Sequence, residues 1–452
     1  MNALIYLLVT VVMLSEWIVT SLGIGPRFLS WSPEFVSAFI LVVVALRIAS
    51  DPSVIIPRKY IILFSIMFVL IAVGIVANTV QSGAVFAGLR TYFRYAPVFL
   101  LPMVYYFSNE QIKRQLKFLL VLALLQFPIA IYQRLTIFKV ANSGDVIGGT
   151  IGGSGILSIF LICTMAMMTA FLVKRRIGLV LYVPVIALLF IPTTLNETAV
   201  TFFLMPLAFV LPVLLTPTSR SRFRQLIPLA AIGSLAIVVF ASIYNAEFGD
   251  RWGGSLWEGI TEGEMWEFLY KGDTSDIEPG RRHLMAYVGR FDSILMPFRI
   301  VSDPVRWMLG NGIGNVSSTF NELLAGDYSE DAERYGALFT AAAKLLWEIG
   351  IVGLGLSFLF FWFVFKDARA VSVRDDLPGT VALGWASIIP ILAVSMFYTN
   401  LVDKTVLGYL MWYFSGYIIS MRYQRYREAR NPMGIMTNTA NFQIKRPHHN
   451  QA

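Results

Sequence analysis

Long runs of apolar residues, interrupted at short intervals by small clusters of basic ones, set the pattern of this chain. The segments 2–23, 33–49, 59–77, 85–107, 113–132, 147–173, 177–195, 196–215, 224–244, 338–365, 380–399 and 404–421 are apolar enough, at helical rise, to cross about 30 Å of hydrocarbon. The pattern therefore predicts an all-α, polytopic membrane protein with about twelve transmembrane helices. One extended stretch before the tail breaks it. Residues 245–337 hold 16 Asp/Glu and 8 Lys/Arg, interspersed with Trp252, Trp257, Trp266 and Trp307, which predicts a folded acidic segment and not a low-complexity linker. The expected organisation is helices 1–9 over 1–244, a large outer-face helical loop over 245–337, helices 10–12 over 338–421, and a basic tail over 422–452. Its four tryptophans and the apolar run 293–300 predict that the loop packs back on the membrane.

Composition agrees with that class. At 56% hydrophobic and 14% charged residues, a soluble fold of 452 residues has too little polar surface to cover its apolar groups. The first segment lacks a basic leader, carries Glu16 and precedes no small-residue cleavage site, so a retained helix is expected in place of a signal peptide. The lone Cys163, inside an apolar run, excludes an internal disulfide.

The net charge of +8 does not argue for nucleic acid, because outside the loop 28 basic and 12 acidic residues remain and most of the cations sit in short connections. Alternate connections carry Arg47/Arg58/Lys59, Lys113/Arg114/Lys117, Lys174/Arg175/Arg176, Arg220/Arg222/Arg224 and Lys366/Arg369/Arg374, and the tail carries Arg422, Arg425, Arg427 and Arg430. By the positive-inside rule these face the cytoplasm, which predicts both termini inside and 245–337 outside.

Ionisable residues inside apolar spans are costly unless paired or hydrated, so they are the first candidates for chemistry. Arg90 and Arg94, spaced i, i+4, share one helical face near the outer end of the fourth span and would suit phosphate oxygens as a planar-donor clamp. The alternative is snorkelling, or a salt bridge to Glu16. Lys344 and Glu348 repeat the spacing in the tenth span, either as a structural ion pair or with Lys344 binding phosphate.

In the loop, Pro279-Gly280-Arg281-Arg282-His283 opens a helical-looking segment that would offer N–H groups and two guanidinium groups to an anion, against the plainer reading of a solvated basic patch. His283 has the pKa of a base, but a histidine beside two arginines is more often structural. Leu309-Gly310-Asn311-Gly312-Ile313-Gly314 resembles a nucleotide loop only superficially, and the glycines at 148–155 let backbone approach a neighbour or ligand closely. Three histidines and one cysteine cannot supply an ordinary zinc site, and Asp273–Glu278 reads as an acidic surface loop before a calcium site. No cofactor is expected.

The glycines at 149–155, an outer loop holding Gly280-Arg281 and then Trp307-Met308-Leu309-Gly310-Asn311-Gly312-Ile313-Gly314, and a following helix with Glu348-Ile349-Gly350-Ile351-Val352-Gly353-Leu354 together resemble the O-antigen polymerase (Wzy-type) and O-antigen ligase superfamily. The resemblance implies a multi-pass protein of the bacterial inner membrane. Such a protein transfers glycan from an undecaprenyl diphosphate carrier at the outer face, without a metal or nucleotide sugar, alongside partners such as a flippase and a chain-length regulator. Ligase-like members carry a His-Asn pair where this chain has Phe339 and Thr340, so the resemblance favours polymerase over ligase. On this reading Arg90, Arg94, Arg281 and Arg282, with Lys344, surround the leaving diphosphate, and Trp307 and its neighbours stack on sugar rings. Glu16, Glu348 or His283 orients or deprotonates the acceptor. A lipid-linked glycan transporter would also have twelve helices and buried charges, but no internal repeat is visible.

Overall fold

The computed structural model describes residues 1–51, 54, 56–138, 144–196, 198–216, 222–248, 258, 261, 288–317, 324–403 and 405–430, and helix is the only regular structure among them. The first half comprises α1 (Asn2–Glu16), α2 (Ser32–Ser50), α3 (Arg58–Ala77), α4 (Ser82–Phe93), α5 (Ala96–Val104), α6 (Asn109–Thr136), α7 (Ser154–Val173), α8 (Leu179–Leu195), α9 (Val200–Leu214) and α10 (Arg222–Phe248). Three short helices follow, α11 (Arg290–Ile300), α12 (Pro304–Leu309) and α13 (Ser329–Arg334). Three long ones end the described residues: α14 (Ala341–Val371), α15 (Leu377–Ser395) and α16 (Val406–Arg430).

Seven stretches among the described residues, in α1, α2, α3, α6, α7, α14 and α15, are long and apolar enough to cross a membrane. This is the architecture of an α-helical membrane protein. Two expected crossings are shorter apolar helices with prolines inside them. α8 contains Pro184 and Pro192 and α9 contains Pro206 and Pro212. The fourth expected span breaks at Arg94–Tyr95, because Pro97 lacks an N–H and its ring crowds the carbonyl four residues earlier. At the turn between α8 and α9, buried Asn196 supplies a substitute bond by donating to the Ser154 carbonyl (3.0 Å) and the Ser158 hydroxyl (2.8 Å).

α7, α15 and the short α5 are the most enclosed helices, and the rest pack around them. The bundle has two chemically distinct ends. At one, Asp367 of α14 receives Lys59 Nζ (2.8 Å) and the Tyr60 hydroxyl (2.7 Å), and Lys174 reaches Asp375 (3.1 Å) and the Arg374 carbonyl (3.0 Å). The basic connections around residues 58–59, 174–176 and 366–374 therefore share that end.

At the opposite end lie the described parts of the large loop. Val316, Ala332, Ala337 and α14's Trp347 form a small separate core with Met296, Tyr328 and Tyr335. Gln81, just before α4, reaches Asp327 (2.6 Å). The first N–H groups of α14 are already committed: Ala341 and Ala342 donate to the Thr399 and Met396 carbonyls (3.0 and 2.9 Å), and Ala343 to the Thr340 hydroxyl (3.0 Å).

The glycines at 148–155 find a neighbour and not open space. Gln126 and Gln133 of α6, both buried, hold that loop by paired amide bonds: Thr150 N–H donates to Gln126 (2.9 Å), Gly149 N–H to Gln133 (2.8 Å), and Gln133 returns a bond to the Gly149 carbonyl (2.9 Å). A Cβ on Gly149, whose φ is +59°, would stand 2.3 Å from the Gln126 oxygen.

Candidate functional site

The end of the bundle that carries the loop also gathers buried charge. α2 starts after Trp31, and Glu34 lies in its first turn, where a carboxylate is favoured by the helix dipole. The break after α4 turns Arg94 across to it. Nη1 of Arg94 donates to Glu34 (3.1 Å), Nη2 to the Thr91 hydroxyl (3.1 Å) and Nε to the Thr91 carbonyl (3.3 Å). The Arg94 carbonyl, released by the break, accepts the Ser37 hydroxyl (2.5 Å). Arg90 stands 3.7 Å from the same Glu34 oxygen, with its guanidinium 5.1 Å from the Trp31 ring. So the i, i+4 pair does converge, and its partner is Glu34. Glu16 closes α1, but its side chain lies outside the described residues.

The two guanidinium groups are not equivalent. The Arg90 side chain is 36% exposed, whereas that of Arg94 is 6% and that of Lys344 3%. Arg90 is therefore the most accessible of these three cations, and Arg94 lies deeper.

Lys344 and Glu348, on the opening turns of α14, are both buried, yet Lys344 pairs with Asp403. Asp403 is held in turn by Asn400, whose amide donates to it (2.7 Å) and to the Leu338 carbonyl (3.1 Å), while Tyr95 donates to the Asp403 carbonyl. Tyr95 packs edge-on to Tyr409 at 4.8 Å, tying the break after α4 to the start of α16.

Glu348 serves the glycine loop. α14 is kinked at Gly350 (φ +66°, ψ −168°), which strips the Trp347 and Glu348 carbonyls of their helical donors. Asn311 and Gly312 N–H groups replace them (2.7 and 3.0 Å), and the Glu348 carboxylate accepts from Gly314 N–H and the Ser317 hydroxyl (both 3.1 Å), with the Tyr92 hydroxyl beside it. Glycine is required on both sides of this contact. A Cβ at Gly310 would sit 2.3 Å from the Glu348 carbonyl carbon, at Gly314 1.9 Å from the Ala84 oxygen, and at Gly88 of α4 2.7 Å from the Gly314 nitrogen. The glycines at 310–314 thus pack on the backbones of the chain's own helices.

The assembled cluster holds three cations, Arg90, Arg94 and Lys344, and three carboxylates, Glu34, Glu348 and Asp403, from segments remote in sequence. It opens through Arg90 and Asp403, the latter's side chain being 45% exposed. Chemically it can present fixed positive charge to an anion at the bundle end and exchange one carboxylate contact for another. Among the described residues no group of three or more His, Cys, Asp or Glu side chains is placed to hold a metal ion.

Arg281, Arg282 and His283 lie outside the described residues, as do Trp252, Trp257 and Trp266. Trp307 is half-buried, its N–H donating to the Val301 carbonyl (2.5 Å) and its ring packed edge-on to Phe298 at 6.0 Å. Glu34, Asp403, Tyr92 and Tyr95 are the participants that the sequence did not single out. The available signals were Pro33-Glu34 opening a span and Asp403 in the short connection before the last one. No family model matches this chain, and no curated protein matches it.

Proposed function

We propose that this chain is a metal-independent glycosyltransferase that polymerises a bacterial polysaccharide. It would transfer a glycan from undecaprenyl diphosphate onto a lipid-linked repeat unit at the outer face of the inner membrane, building O-antigen, capsule or exopolysaccharide. The observation that carries the reading is the placing of Arg90, Arg94 and Lys344 in one charge cluster, with Arg90 partly exposed, at the bundle end where the loop packs.

In this reaction an acceptor hydroxyl attacks the anomeric carbon, the bond from that carbon to the diphosphate oxygen breaks, and the hydroxyl proton leaves to a base or to water. Negative charge grows on the departing diphosphate, and fixed cations that need no reorganisation stabilise it. Arg90 makes the first contact by leaving Glu34, while Arg94 keeps Glu34 in place. Glu348 is fully enclosed and engaged with Gly314 and Ser317, which favours it as the organiser of the loop over the role of a base. Thr340, at one of the two positions where ligase-like members carry His-Asn, caps α14 by accepting the Ala343 N–H.

A lipid-linked glycan transporter is the second reading, and one observation favours it: the cluster is balanced, with as many carboxylates as cations. Purified protein incubated with undecaprenyl-diphosphate-linked repeat units separates the two. A ladder of longer lipid-linked glycans is expected. Unchanged substrate from correctly folded protein rejects the transferase reading, and movement of intact substrate across vesicles would establish the transporter.

A further inference from the structure

A second site lies away from this cluster. A cavity of about 360 Å³ runs between α6, α7, α15 and α16, in the size range of ligand pockets. Its wall is almost wholly apolar, formed by residues such as Phe160, Cys163, Met168, Trp385 and Phe414. Its chemistry is polarised. At one mouth stand Lys113, Lys117 and Arg176, and no acidic residue lines it.

Those cations are poorly neutralised. Lys113 lies 3.9 Å from Glu110 with both side chains more than half exposed, a pair worth little. Arg176 donates to the Asp375 carbonyl, while the carboxylate of Asp375 is taken by Lys174. Lys117 makes no ion pair among the described residues. The mouth sits at the basic end of the bundle, beside the 374–376 turn.

Length then selects the occupant. The wall follows α15 from Leu377 to Leu392, about 22 Å at helical rise, and one leaflet of a bilayer is about 15 Å of hydrocarbon. Met167, Met168 and Met411 add flexible side chains that can adapt to a mobile chain. We infer that this slot binds an anionic diacyl phospholipid of the surrounding bilayer, its phosphate on Lys113, Lys117 and Arg176 and one acyl chain between α6, α7, α15 and α16. Basic pockets between membrane helices are a recurrent means of holding acidic headgroups. Bound there, the lipid would fill the gap between α6 and the α15–α16 pair at the end remote from the arginine cluster.

The test uses the full chain in phosphatidylcholine vesicles carrying a trace of phosphatidylglycerol with a diazirine on one acyl chain, or phosphatidylcholine with the same chain. After irradiation, adducts are mapped by mass spectrometry. The phosphatidylglycerol probe is expected to label residues 160–171 and 407–414 at least fivefold more than its zwitterionic twin. Lys117→Gln should lower that labelling about fivefold and Lys113→Gln/Lys117→Gln/Arg176→Gln further, since each cation near an acidic lipid contributes a preference of about that size. Equal labelling by the two lipids overturns the inference. So does phosphatidylglycerol labelling confined to the outward faces of α2 and α3, at exposed residues such as Phe39 and Val69. Should the triple variant fail to fold, the two-lipid comparison on the unaltered chain decides.

Discussion

Arg90 and Arg94 stand one helical turn apart, and removing each should produce a different failure. Arg94→Ala takes away a guanidinium that is 6% exposed and leaves Glu34, 14% exposed, with only Arg90 at 3.7 Å. The Thr91 hydroxyl and carbonyl lose their donors as well. Removing one partner of a buried pair costs about 3–5 kcal/mol, so the variant should melt well below the unaltered protein and accumulate poorly in membranes. Arg90→Ala removes a side chain that is 36% exposed and makes a longer contact, so its cost should stay within about 1 kcal/mol. Polymer synthesis should nevertheless fall about 10²–10³-fold, the usual loss for one charge-stabilising donor. Thermal unfolding in detergent, with polymer length measured at matched protein level, separates the two effects. Arg94→Ala/Glu34→Gln should recover part of the lost stability, because the stranded carboxylate is gone. Equal melting losses for the two single variants, or normal polymer from Arg90→Ala, would refute the division of labour.

Three further outcomes are expected. Gly350→Ala should destabilise, since φ +66° with ψ −168° is a glycine conformation worth of order 1–3 kcal/mol and its Cβ would stand 2.3 Å from the Met308 oxygen; Gly355→Ala, with open space around it, should melt at or above the parent temperature, and matching behaviour would contradict the kink. Asp403→Asn should strand the buried Lys344 ammonium and lower stability, while Lys344→Met/Asp403→Asn should be milder than the two single losses added together; strict additivity in that thermal cycle would mean the pair is not coupled. At the other end, burial pushes Asp376 up, but the Gly379 N–H and Arg374 outweigh it and hold the carboxyl net below its ordinary value of 3.8. A depressed folded pKa means the cap's contribution is present above that value and fades as pH falls through the folded one, so the melting difference between parent and Asp376→Asn should shrink below about pH 4; a difference constant from pH 7 to 3 would exclude it.

Local chemistry made part of this molecule legible. Apolar runs announce the helices, and the i, i+4 spacing brings Arg90 and Arg94 to one face because helix geometry alone decides it. The break at Pro97 went unread, because the apolar run 85–107 is long enough to pass for one continuous crossing. Glu34 could not be found in that way: it pairs with a residue 60 positions away, and nothing in either segment names the other. The same holds for Lys344 and Asp403, 59 positions apart, whereas spacing pointed to the nearer Glu348. The glycines at 310–314 stood out as a superficial likeness to a nucleotide loop, and the fold shows that they let the loop approach the kinked backbone of α14. Arg281, Arg282 and His283 lie outside the described residues.

The long separation of those charge pairs also bears on biogenesis. A ribosome delivers α2 with Glu34 some sixty residues ahead of Arg94, and α14 with Lys344 almost as far ahead of Asp403. An ionised group in hydrocarbon is expensive until its partner arrives. Each early helix must therefore wait near water or beside the insertion machinery, and its final seat is fixed only when the later segment reaches it. Glu348 is different: the residues that receive it, Gly314 and Ser317, are made first, so this carboxylate arrives at a place already supplied with donors.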